Sequence, residues 1–88
     1  MRIVDGFVLR HVLGQDIIVG EGIGQIDFNK LITLNESAAY LWKEIEGKDV
    51  DESTLAELLI SKYGIDSDLA SNDAKAVAAQ WREIGLVK

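Results

Sequence analysis

Eighty-eight residues, 48% of them apolar, suffice for one small domain over residues 1–88 with a single core, and are too few for two. A net charge of −6, from nine Lys and Arg scattered singly against fifteen Asp and Glu, argues against the basic stripe that a nucleic-acid binder needs to neutralise phosphates. The lack of cysteine, of a signal-like apolar opening and of any run near ~18 apolar residues predicts a cytoplasmic protein with no membrane contact.

In chain order, Phe7, Leu9, His11 and Leu13 alternate with Val8, Arg10 and Val12, the period of a strand with one buried face. Gly14-Gln15-Asp16 has turn chemistry and Ile17-Ile18-Val19 is β-branched, so the two runs predict a hairpin. Gly20, Gly22 and Gly24 then break the pattern into a loop. A further short strand is expected around Gln25-Ile26-Asp27, a reversal at Phe28-Asn29, and a last strand over residues 30–34. On that strand Ile32 and Leu34 share one face, Leu31 and Thr33 the other.

The rest of the chain has helical periodicity. Asn35 is a good N-cap with Glu36 in the first turn, and Ala38, Leu41, Trp42 and Ile45 recur at helical spacing before Gly47 stops the run. A second helix is expected from near Asp51, with Leu55, Leu58, Leu59 and Tyr63 on one stripe and Gly64 at its end. A third runs from near Ser67 to about Ile84, with Ala70, Ala74, Val77, Ala78, Trp81 and Ile84 as its apolar face. Gly85 closes it and leaves Leu86-Val87 as a tail. The order predicts an α+β fold resembling a winged helix-turn-helix: an N-terminal antiparallel β-meander of three to four short strands, then three α-helices.

Few constellations carry chemistry. With one histidine and no cysteine, only carboxylates remain as metal ligands; Asp49, Asp51 and Glu52, like Asp66, Asp68 and Asp73, lack the calcium-loop pattern and sit at predicted helix starts, as caps do. His11 has no accompanying nucleophile motif and is expected to pack on its strand beside Phe7, Leu9 and Leu13. Gly20-Glu21-Gly22-Ile23-Gly24 has neither the spacing nor the following helix of a phosphate loop. Trp42 and Trp81 lie on apolar stripes and are expected in the core, not on a stacking platform. No catalytic residue, metal site or cofactor is therefore predicted.

One feature is left: the edge of the strand over residues 30–34, which has a single lysine and no proline to blunt it. With the third helix alongside, that edge would make a groove into which an extended peptide enters as an added strand. From the residues alone, a merely solvated edge is an equal alternative.

The run Ile32-Thr33-Leu34-Asn35-Glu36-Ser37-Ala38-Ala39-Tyr40-Leu41-Trp42, followed by Gly47, resembles the central signature of the PqqD-like family. Leu58-Leu59 with Tyr63, and Asp73, Val77, Trp81 and Gly85-Leu86, look like the family's second and third helices, and Asp5-Gly6-Phe7-Val8-Leu9-Arg10 like its first strand. The likeness spans nearly the whole chain and is most specific over residues 34–42. It implies a peptide chaperone without activity of its own. Such a protein binds the leader of a ribosomally synthesised precursor peptide by strand addition and presents it to a modifying enzyme, often a radical S-adenosylmethionine (SAM) enzyme. Carried onto this chain, the leader would meet Lys30, Leu31, Ile32 and Thr33 on the strand and Leu69, Asp73, Ala76, Val77 and Gln80 on the third helix, while Asn35 and Trp42 cap and pack. Members devoted to coenzyme PQQ carry a Tyr-Pro-Glu-Gly-Met-like stretch after the second strand; here Ile18-Val19-Gly20-Glu21-Gly22-Ile23 stands there, which implies a relative serving another peptide. The alternative is a winged-helix regulator of transcription, although its third helix would offer only Lys75 and Arg82 as cations.

Overall fold

A computed structural model of the chain describes residues 1–20 and 32–88. Within them lie three strands, β1 Phe7–Val12, β2 Gln15–Gly20 and β3 Ile32–Leu34, followed by three helices, α1 Glu36–Ile45, α2 Glu52–Tyr63 and α3 Ser67–Ile84. The strands form one antiparallel sheet in the order β1-β2-β3. The architecture is the expected α+β meander followed by three helices. The loop glycines Gly22 and Gly24, the strand expected at Gln25-Ile26-Asp27 and the turn at Phe28-Asn29 lie outside the described residues.

The hairpin is tighter than its sequence pattern suggests. Val12 pairs with Gln15, so the loop is the dipeptide Leu13-Gly14, and Gln15, Asp16 and Gly20 belong to the strand instead of to turn or loop. Both loop residues have positive φ, 51° and 78°, the form of a type I′ turn whose twist matches the flanking strands. Gly14 takes this conformation freely, whereas Leu13 bears its cost with a side chain 98% exposed, so no packing offsets the strain.

Phe7, Leu9, Ile18, Ile32 and Leu34 point from the sheet onto the core. His11 shares their face by alternation, but the helices do not reach it. It is exposed rather than packed, with Nδ1 3.0 Å from Oδ1 of Asp16, its partner across the hairpin.

Capping sets the helix limits. The Asn35 side chain accepts from the Ala38 amide, that of Asp51 from Thr54 and that of Asp66 from Asp68, while Gly64 and Gly85 end α2 and α3 in the left-handed conformation. The stripe of α1 is buried as spaced, together with Ala39. On α2, Leu55 and Leu59 are buried and Leu58 partly so, but Tyr63 emerges at the surface. Ala70, Ala74 and Ala78 give α3 a small-residue seam, and α3 packs most extensively against α2. Trp42 of α1 and Trp81 of α3 meet edge to face, ring centroids 5.4 Å apart at 82°, both all but inaccessible to solvent.

Leu86 and Val87 are no tail. Gly85 reverses the chain, Leu86 becomes fully buried, and Arg2 and Lys88 exchange two backbone hydrogen bonds of 2.8 Å. Val4 donates to the Leu86 carbonyl at 2.9 Å, so the segment before β1 is paired with the end of the chain. Among the described residues no helix is long and apolar enough to cross a membrane.

Two outcomes test these local assignments. Leu13→Asn, placing the favoured Asn-Gly dipeptide in the turn, is expected to add about 0.5–1 kcal/mol. At ~4–8 °C per kcal/mol for a domain of this size, Tm rises by about 2–8 °C, whereas Leu13→Val lowers it. Asp51, at the start of α2, accepts from the Ser53 hydroxyl and from the amide and hydroxyl of Thr54, which lowers its pKa from 3.8 to about 2. A folded-state pKa below the unfolded one stabilises above the unfolded value, and that contribution disappears as pH falls through the folded value. The Tm advantage of the native chain over Asp51→Ala should therefore hold at neutral pH and shrink between about pH 4 and pH 2.

Candidate functional site

The strand β3 is paired along one edge only. Ile32, Thr33 and Leu34 lie opposite Ile18, Ile17 and Asp16 of β2, and among the described residues nothing pairs with the other edge. In an antiparallel ladder, alternate residues turn their amide and carbonyl away from the neighbour, so an outer edge offers main-chain donors and acceptors. Ile32 and Leu34 are held by the core beneath them, while Thr33 is exposed. None of the three is charged or proline, so nothing in their side chains blocks a further strand.

Directly after β3 the chain enters α1, and here a cavity of 390 Å³ opens. Asn35 and Ser37 form its rim on the strand side. The Asn35 Oδ1 accepts from the Ala38 amide at 2.8 Å and from the Ser37 hydroxyl at 3.1 Å, so both side chains are held by the cap. Leu41 of α1 and Leu59 of α2 supply apolar wall, and Ile65, in the turn before α3, adds to it. Tyr63, the last residue of α2, stands at the mouth with its ring edge-on to Tyr40 at 6.1 Å and 86°, and the Lys62 Nζ lies 5.2 Å from the Tyr40 ring centre.

The remaining wall is α3. Asp73, Ala76 and Val77, at i, i+3 and i+4, fall on one face and line the cavity, while the neighbouring face carries the buried Ala70, Ala74, Ala78 and Trp81. Asp73 is the one charged side chain in the lining. Its helical neighbours Leu69, Ala70, Ala76 and Val77 carry no charge, and no ion pair or hydrogen bond reaches its carboxylate from the described residues.

Of the residues singled out from the sequence, the structure thus brings Asp73, Ala76 and Val77 to one cavity. Leu69, 51% exposed, and the exposed Gln80 lie about one turn before and after them on α3 and do not line it. Ile32 and Thr33 form the adjoining strand, and Lys30 and Leu31 lie outside the described residues. Sequence reasoning missed the walls from Leu41, Leu59, Tyr63 and Ile65. The one available signal was Tyr63, a polar-tipped aromatic at the end of an apolar stripe.

A larger cavity, 510 Å³, lies along residues 2–9 and 46–49 at the opposite edge of the sheet. Its lining includes Arg2, Asp5, Glu46, Lys48 and Asp49, charges of both signs. The cavity beside β3 is the better candidate, because specific sites combine an apolar wall with few polar groups. Among the described residues no cluster of His, Asp and Glu is arranged to hold a metal.

The family model for Coenzyme PQQ synthesis protein D (PqqD) matches residues 11–87. The chain belongs to this family. Comparison with curated proteins finds no match. A solved structure described as TbiB1 in complex with the TbiA(beta) leader peptide superposes with a TM-score of 0.74 at 17% sequence identity, covering 100% of this chain and 95% of that one. At that identity the likeness to this PqqD-family chain is one of fold.

Proposed function

We propose that this chain is a non-catalytic recognition element that binds the leader of a ribosomally synthesised precursor peptide as an added strand on β3 and presents it to a modifying enzyme, a radical SAM enzyme. The observation that carries the reading is the conjunction of an edge without a partner among the described residues and a 390 Å³ cavity that starts at Asn35, the residue after that strand, and is walled in part by α3. Membership of the PqqD family supports it, as does a shared fold with a protein described in complex with a leader peptide.

A strand of three residues offers few main-chain bonds. At ~0.5–1.5 kcal/mol net each, they are largely offset by ordering the guest. Affinity must therefore come from side chains seated in the cavity, where alternate residues of an added strand point. In this reading Leu69 and Gln80 extend the α3 wall along the guest beyond the cavity, and Lys30 and Leu31 lengthen the receiving strand. The DNA-binding alternative is weakened by α3 itself. Two cations stand there against the acids Asp68, Asp73 and Glu83, and Arg82 is engaged with Glu52 at 3.0 Å.

Hydrogen exchange during titration with the precursor peptide encoded beside the gene provides the test. Outward-pointing amides of β3 should gain protection at saturation, and unchanged exchange across Ile32–Leu34 would refute strand addition. Ala76→Trp fills the cavity from an exposed position. It is expected to weaken binding by at least about tenfold while moving Tm by no more than ~2 °C.

A further inference from the structure

We infer that the segment this groove accepts carries a lysine or arginine opposite Asp73, two residues from an apolar side chain that fills the remainder of the cavity. The inference rests on the strand-addition reading and adds to it the chemical identity of the guest.

Asp73 stands in the wall of a cavity whose other side chains are apolar, apart from Asn35, Ser37 and the tip of Tyr63. Asn35 and Ser37 are committed to capping α1, with the amide oxygen accepting twice. Both are neutral, so neither serves Asp73 as a counter-charge. A cation three or four residues away on the helix could pair with the carboxylate, yet those positions hold Leu69, Ala70, Ala76 and Val77. Among the described residues, Lys62 is engaged with the Tyr40 ring and Arg82, further along α3, with Glu52. Lys75 is two residues from Asp73, which places it on the far side of the helix.

A guest strand laid against β3 shields this carboxylate from water. Without a counter-charge that desolvation opposes binding, whereas an incoming ammonium or guanidinium reverses its sign and adds charge-assisted hydrogen bonds. An acidic guest is excluded by the same carboxylate. Residues two apart on a strand share a face, so the neighbour of the basic residue enters the wall of Leu41, Leu59 and Tyr63. The chain's net charge of −6 steers a basic segment towards it at longer range.

The test is selection of a phage-displayed random dodecapeptide library on the full chain, followed by anisotropy titration of a labelled winner. Enriched sequences should share a basic residue spaced two from Leu, Ile, Val or an aromatic. Asp73→Asn should weaken the winner about 5- to 10-fold, with the loss smaller at about 1 M salt than at about 0.1 M. Asp73→Lys should select acidic residues at the same position, a reversal that a merely structural role of Asp73 does not produce. Position 73 is exposed, so both variants are expected to keep the native circular dichroism spectrum. Winners that protect the Ile32–Leu34 amides but lack the basic position, or that bind Asp73→Lys equally well, overturn the charge assignment and leave strand addition standing. A library yielding no peptide that protects those amides overturns both.

Discussion

The contact on which the site depends is the edge-to-face meeting of Trp42 and Trp81. Each ring is 1% exposed, and together they tie α1 to α3 across the middle of the core. Burial of two such side chains dominates the energetics of a chain this small, and the ring geometry adds roughly 0.5–1.5 kcal/mol. The cavity follows from the same contact. Leu41 precedes Trp42 on α1, and Val77 lies one turn before Trp81 on α3, so the spacing that the indoles set between the helices is also the spacing between two cavity walls. Leu55 and Leu59 seat α2 beside the pair, and Tyr63 is carried to the mouth as the last residue of that helix.

An edge that takes a guest strand, as proposed for β3, is a hazard as well as a device, since unpaired main chain invites association with other strands. Here the exposure is short. The described part of β3 is three residues long, two of them pinned by the core. Elsewhere the chain closes its own backbone: the segment before β1 is paired with the residues after Gly85, and each helix start is capped by its own Asn or Asp. On the proposed reading, selectivity is left to the cavity, with an apolar wall for affinity and a single carboxylate for discrimination.

The helices were legible from the chain because their limits are decided within a turn or two. Asn35, Asp51 and Asp66 accept from amides two or three residues on, and Gly64 and Gly85 supply the left-handed stop, so no distant partner is consulted. The hairpin is where the sequence pattern puts it, but its turn falls at residues 13–14 and not at 14–16, for a related reason. Leu13 reads as the next member of an alternating strand, and only the pairing of Val12 with Gln15 forces it into a positive-φ turn that its own side chain disfavours. His11 followed the same alternation to an expected core position that the helices do not cover.

The candidate site divides along the same line. Periodicity, together with the family resemblance, placed Asp73, Ala76 and Val77 on one face of α3, because a single helix sets which of its own residues share a side. That this face meets Leu41, Leu59, Tyr63 and Ile65, and that Leu69 and Gln80 fall beyond the cavity, depends on crossing distances between helices. Those distances are set by side chains far apart in sequence, chiefly two indoles thirty-nine positions apart, and no local rule reads such a pairing off the chain.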